Sequence, residues 1–230
     1  MKRAKWHVRN EAREAEVWLY DEIGEDWWGD GISAKAFIED LMALPSSVET
    51  IVVRINSPGG NVFEGFAMYQ ALLRHRAKIV TAIDALAASA ASVVAMAGDE
   101  INAATTSMVV VHDPWTIGSG NAEDFRQLAD ALDQITESIV AAYARREGVD
   151  RDAIRAAMRA ETWYSAADAK AAGLVDTVTE ATYSVAAKVP PGRYRNAPAR
   201  LIGSRVPEEK PEEARKRLAA AKRMLELVGP

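Results

Sequence analysis

Cysteine is absent from the 230-residue chain, which excludes a disulfide framework, a thiolate nucleophile and any cysteine-ligated zinc or iron–sulfur centre. Histidine occurs only three times, so few side chains are available as a base or metal ligand near neutral pH. No apolar run approaches the roughly 18 residues needed to cross a bilayer; the longest, Ala85 to Gly98, is rich in alanine and broken by Ser89 and Ser92. The basic start MKRAKWHVRNEAREAE has no hydrophobic stretch behind it, so no secretory signal is expected and a cytoplasmic location fits. Nor is there a strong excess of one charge: the net value of −5 gives no electrostatic case for binding nucleic acid or an anionic membrane. What the chain does have is 49% hydrophobic and 27% charged residues, enough for one full-sized domain with an appendage.

Strands alternating with helices predict an α/β architecture with right-handed crossovers. Glu16 to Tyr20 reads as a strand, and Ser33 as the cap of a helix from Ala34 to about Leu44, where Pro45 ends it. Thr50 to Asn56 is a β-branched run without clean alternation, the pattern of a strand buried on both faces. The SPGG turn breaks it, and a helix is expected from Val62 to His75. The pattern then repeats, with a strand from Lys78 to Ile83, a turn at Asp84 to Ala88 and a small-residue helix through Met96. A third strand, Met108 to Val111, ends at His112, Asp113 and Pro114. Helices are expected over Ala122 to Arg146, over Asp150 to Arg159 and from Ser165 to Gly173, with a last strand from Leu174 to Val178. This gives a loose N-terminal arm (1–14), a catalytic-sized domain (15–185), and a proline- and charge-rich linker with a final helix near Pro211 to Val228 (186–230).

Three features carry possible chemistry. His112 lies at the carboxyl end of an apolar strand, where open α/β sheets commonly place functional groups; His7 and His75 read as solvated surface residues. Ser89 stands between a strand and a helix of small residues, a setting for an accessible nucleophile near backbone amides. On that feature alone an ordinary cap or a serine buried in tight packing is the plainer reading, and Ser92 reads as a packing residue. The paired Gly59 and Gly60 allow close backbone approach and exposed amides, as an oxyanion hole requires. The lysine and spacing of a phosphate-binding loop are missing, so no nucleotide site is read.

Together INSPGG (Ile55 to Gly60), AAS and AMAG within Ala87 to Gly98, VHDP (Val111 to Pro114) and ETWYSAADAKAAGLVD (Glu161 to Asp176) resemble the Clp (caseinolytic) protease proteolytic-subunit family, in order and spacing. The resemblance covers roughly Ala15 to Val178. It implies a crotonase-like spiral of ββα units and a serine peptidase with Ser89 as nucleophile, His112 as general base, and the Gly59 and Ala90 amides as oxyanion hole. The usual third residue, an aspartate, aligns with Glu161, one methylene longer; the plainer reading of Glu161 is a cap or a surface pair near Trp163, and Asp113 and Asp168 are the fallback acids. Gly60, Thr116, Ile117 and Gly118 resemble the family's extended-substrate contacts, and the helix from Ala122 resembles the region that joins rings face to face. No metal or organic cofactor is implied, and the implied partners are polypeptide substrates and further copies of the chain in a ring.

The WW pair (Trp27, Trp28), VFEGFAMY and ETWYSA resemble the branch found in tailed bacteriophages as head maturation proteases, which act on scaffold and capsid precursors. Trp27 and Trp28 read either as an interface anchor or as cover for a core edge. The family's N-terminal loop segment is not recognisable, which leaves docking of an unfoldase open. The rival readings are a housekeeping Clp-type peptidase working with an unfoldase, an impaired assembly or adaptor protein, a crotonase acting on acyl-coenzyme A, and a serine–lysine peptidase. The Ser89 and His112 pair disfavours the crotonase, and no lysine stands in a matching motif. The linker after Ala186 is a plausible self-cleavage site.

Overall fold

The computed structural model describes residues 13–24, 31–180, 189 and 192–198, and the backbone of 6–9. Trp27, Trp28, the region around Ala186 and the helix expected over Pro211 to Val228 lie outside the described residues. The chain divides into two compact units, Met1–Ala187 and Lys188–Pro230, and the fold below is that of the first.

Among the described residues, eight strands form one mixed, mainly parallel sheet. β1 (Trp6–Arg9) pairs antiparallel with β2 (Glu14–Leu19), so part of the expected loose arm is an edge strand. From β2 the sheet runs in parallel through β3 (Thr50–Ser57), β4 (Lys78–Ala88), β5 (Glu100–Ala104) and β8 (Thr177–Thr179). The distal half of β4 leaves β5 and pairs with β6 (Met108–Val111), which pairs antiparallel with β7 (Thr162–Ser165).

The turn expected at Asp84 to Ala88 is not there. Asp84 is a strand residue whose carboxylate takes both arms of Arg54, with Nε at 3.0 Å and the other nitrogen at 2.5 Å, and accepts the Tyr20 hydroxyl at 2.5 Å. Glu16 lies on the same guanidinium at 3.6 Å. A charge that looks like a turn signal is accommodated within the sheet because it is paired across β2, β3 and β4. This also corrects the reading of β3 as buried on both faces: Ile51, Val53, Ile55 and Ser57 are buried, while Val52 and Arg54 on the other face are half-covered.

Local signals set the helix starts. Ser33 accepts from the Ala36 amide and begins α1 (Ala34–Met42), whose Ala34, Phe37 and Leu41 face the core. Asn61 caps α2 (Val62–Leu73), which buries Met68, Tyr69 and Leu72. Its Gly65 faces α3 (Ala90–Ala95) so closely that a Cβ there would meet the Ala90 Cβ at 3.0 Å. Asn121 and Asp124 form a capping box at the start of α4 (Ala122–Tyr143). Only the far end of α4 is buried, at Ile139, Val140, Ala142 and Tyr143, so most of the helix stands clear of its own chain. Asp150 caps α5 (Arg151–Ala160) and Ser165 caps α6 (Ala166–Ala171). Among the described residues no helix is long and apolar enough to cross a membrane.

Candidate active site

The site is built where β3, β4 and β6 end. β4 is buried from Asp84 to Ala88, then the chain turns at Ser89 into α3, which is buried throughout. Ser89 itself is half-exposed. It holds φ 54° and ψ −127°, a conformation that costs a non-glycine residue of order 1–3 kcal/mol and persists only where its surroundings enforce it. Its hydroxyl makes no helix-capping bond, so the cap reading does not describe it. A half-exposed hydroxyl thus stands on a strained strand-to-helix turn inside an otherwise buried stretch.

The other predicted residues converge on this turn. The Ser89 amide donates to the Val110 carbonyl at 3.0 Å, and Ala88 pairs with Val110 in the parallel ladder. That register carries β6 out at His112, two residues on. On the other side of β6, Val111 pairs with Thr162 as the last pair of the antiparallel ladder, and His112 and Glu161 are the residues next beyond that pair on the two chains. Glu161 is 5% exposed. It ends α5 with φ 51°, a left-handed residue that turns the chain into β7, and the Trp163 indole N–H lies 3.5 Å from its Oε1.

Of the fallback acids, only Asp168 has its carboxylate engaged elsewhere. Asp168 is exposed and accepts the Ser165 hydroxyl at 2.7 Å at the start of α6. Asp113 donates its backbone N–H to the Met158 carbonyl, its carboxylate lies in the field of Arg155, and its Oδ1 is buried without a hydrogen-bond partner.

Gly59 has φ 81°, and a Cβ there would meet the Ala88 carbonyl oxygen at 2.4 Å, the Ser89 Cβ at 2.7 Å and the Ala90 nitrogen at 3.1 Å. Only glycine lets this loop lie against the serine turn. Gly60 approaches the Ile23 carbonyl just as closely. The Gly59 N–H donates to Ser57 Oγ at 3.1 Å, while the Ser57 hydroxyl donates to the Asp21 carbonyl at 2.6 Å. The Ala90 nitrogen is therefore beside the turn, whereas the Gly59 donor is engaged with Ser57. Thr116, Ile117 and Gly118 lie in an exposed loop outside any described strand, with Ile117 89% exposed, and Gly118 passes over Leu128 of α4.

Ser92, which the sequence presents as a packing residue, has a polar role that its pattern does not show. It is fully buried, and its Oγ reaches the Ser89 carbonyl at 2.6 Å, the Val110 carbonyl at 3.0 Å and the Tyr143 hydroxyl at 2.7 Å. Burial pushes the Tyr143 phenol well above its ordinary range. The signal available in the sequence was a polar residue inside a helix of alanine and valine. Among the described residues no group of three or more histidine or acidic side chains could hold a metal ion.

The family model for Clp protease matches residues 7–182. The chain belongs to the Clp protease family. It is 30% identical over 153 residues to an ATP-dependent Clp protease proteolytic subunit of Bacteroides fragilis, covering 65% of this chain and 74% of the relative. It is 32% identical over 166 residues to an ATP-dependent Clp protease proteolytic subunit 1 of Chlamydia abortus, covering 70% and 84%. Among solved structures, a mutant ClpP1 from Listeria monocytogenes superimposes with TM-score 0.62 at 21% identity, covering 72% of this chain and 91% of that one. The fold is that of this family of peptidases.

Proposed function

We propose that this Clp-family chain is a serine endopeptidase whose triad is Ser89, His112 and Glu161. The observation that carries the reading is the strained, half-exposed Ser89 turn, bonded to the strand that leads to His112 and lying against Gly59. In the reaction, His112 takes the Ser89 hydroxyl proton as Oγ attacks the peptide carbonyl. The resulting oxyanion is met by the Ala90 amide and by Gly59, whose N–H exchanges Ser57 Oγ for it. Collapse expels the amine, which receives the proton from His112, and water then releases the acyl group by the same steps reversed. Glu161 stays ionised, orients the imidazole and stabilises its charged form. An extended substrate would lie along the loop of Thr116, Ile117 and Gly118, beside Gly60.

The exposed Phe63, Trp115, Ile117 and Phe125, together with the uncovered length of α4, support assembly of several copies in a ring. No cofactor enters this scheme. The chain is expected to cleave casein without nucleotide, and Ser89→Ala to lower that rate by at least about 10⁴-fold. Equal cleavage by the two proteins would overturn the assignment.

The finer biological reading is a phage head maturation protease acting on scaffold and capsid precursors in the cytoplasm of the host or within a procapsid. VFEGFAMY and ETWYSA support it. A second reading, a housekeeping subunit fed by an unfoldase, is favoured by the names of the relatives from Bacteroides fragilis and Chlamydia abortus. Cleavage of a capsid precursor with no ATPase present supports the first reading; degradation of folded proteins only with an ATP-driven unfoldase supports the second.

A further inference from the structure

The Ser92 hydroxyl has one proton and three oxygens around it. The Ser89 and Val110 carbonyls can only accept, so the Ser92 proton goes to them, and the Tyr143 hydroxyl must be the donor to Ser92. Neither carbonyl needs this proton to be satisfied. The Ser89 carbonyl already accepts the Ser92 amide at 2.9 Å and the Val93 amide at 3.3 Å, and the Val110 carbonyl accepts the Ser89 amide at 3.0 Å. Serine is also a poorer choice than alanine in a helix interior, and its flanking residues are alanine and valine. A local preference is broken, and two buried hydroxyls are spent, on a bond to the peptide of one reacting residue and the strand leading to the other.

We infer that Ser92, held by Tyr143, is a positioning residue: it fixes the strained Ser89 turn against β6 so that the serine and His112 keep a reactive separation. The inference rests on the reading of Ser89 as nucleophile. Ser92 touches no substrate and acts through the Ser89 and Val110 backbone. Tyr143 is anchored at the end of α4 and 1% exposed, so its hydroxyl has no solvent to turn to if Ser92 is removed.

Four proteins test this: the parent, Ser92→Ala, Tyr143→Phe and the double variant, each measured for thermal midpoint and for kcat and KM on an internally quenched peptide. Ser92→Ala strands the Tyr143 hydroxyl, so its midpoint falls together with kcat. The double variant leaves no orphan and regains most of the midpoint. Its kcat nevertheless stays at least about tenfold below the parent, with KM within about twofold, because misplacement of a reacting group is costly while binding is untouched. Recovery of kcat together with the midpoint would make the pair merely structural and overturn the inference. Should Ser92→Ala or the double variant fail to fold, Tyr143→Phe decides: a fall of about twofold to fivefold in kcat at constant KM supports the role, and an unchanged kcat refutes it. Activity of Ser89→Ala is the separate control. If it equals the parent, the nucleophile assignment falls and this inference with it; if it is inactive while the double variant matches the parent, only the positioning role falls.

Discussion

Glu161→Gln is expected to lower kcat for peptide hydrolysis by about 10²- to 10⁴-fold while leaving the fold intact. Glutamine keeps the size of the side chain beside Trp163 but removes the charge that stabilises the His112 imidazolium, and its amide can hold the ring in the wrong tautomer. The β6–β7 ladder ends at Val111 and Thr162, so Glu161 and His112 follow directly on its last pair, and the left-handed backbone of Glu161 turns α5 into β7. Glu161→Asp restores the charge one methylene short, so its activity should lie between those of the glutamine variant and the parent. Steady-state kinetics on the three proteins, with circular dichroism to confirm folding, measures this. Full activity of Glu161→Gln would remove Glu161 from the triad and return attention to Asp113.

Gly59→Ala is expected to abolish measurable hydrolysis and to destabilise the protein by about 2 to 5 kcal/mol. Its Cβ would press on the Ala88 carbonyl oxygen at 2.4 Å and the Ser89 Cβ at 2.7 Å, both in a buried part of the fold, from a backbone at φ 81°. Gly148 provides the control. It has nearly the same backbone angle, φ 84°, with nothing within 4 Å of a Cβ, so Gly148→Ala should lose only about 1 to 2 kcal/mol from strain and keep its activity. Urea unfolding at unchanged m separates the two variants. Equal stability and activity of Gly59→Ala and the parent would mean that the glycine loop does not lie against the serine turn.

The parts of the fold that local chemistry dictates were legible in the sequence. Ser33, Asp150 and Ser165 each announced a helix start and each caps one. Ser89, His112, Gly59 and Glu161 could be named because each belongs to a contiguous motif, and the structure brings them to one end of the sheet. What was not legible depends on partners distant in sequence. β5 and β7 are short, EINAA and TWYS, so that the alternation of β5 spans only five residues and β7 shows none; they are strands because β4 and β6 supply ladders for them. Asp84 resembles a turn residue until Arg54, 30 residues earlier, is seen to hold it within β4. Ser92 resembles packing until Tyr143, 51 residues later, is found on its hydroxyl. The engagement of the Gly59 amide by Ser57 is a matter of one peptide's orientation, which no residue pattern specifies.

The most direct test of the account is to treat the full chain with a fluorophosphonate and map the adduct by tandem mass spectrometry in the parent, Ser89→Ala and His112→Ala. One adduct per chain is expected on Ser89 in the parent, none in Ser89→Ala, and strongly slowed labelling in His112→Ala. An adduct on another residue, or labelling of Ser89→Ala at the parent's rate, would contradict it.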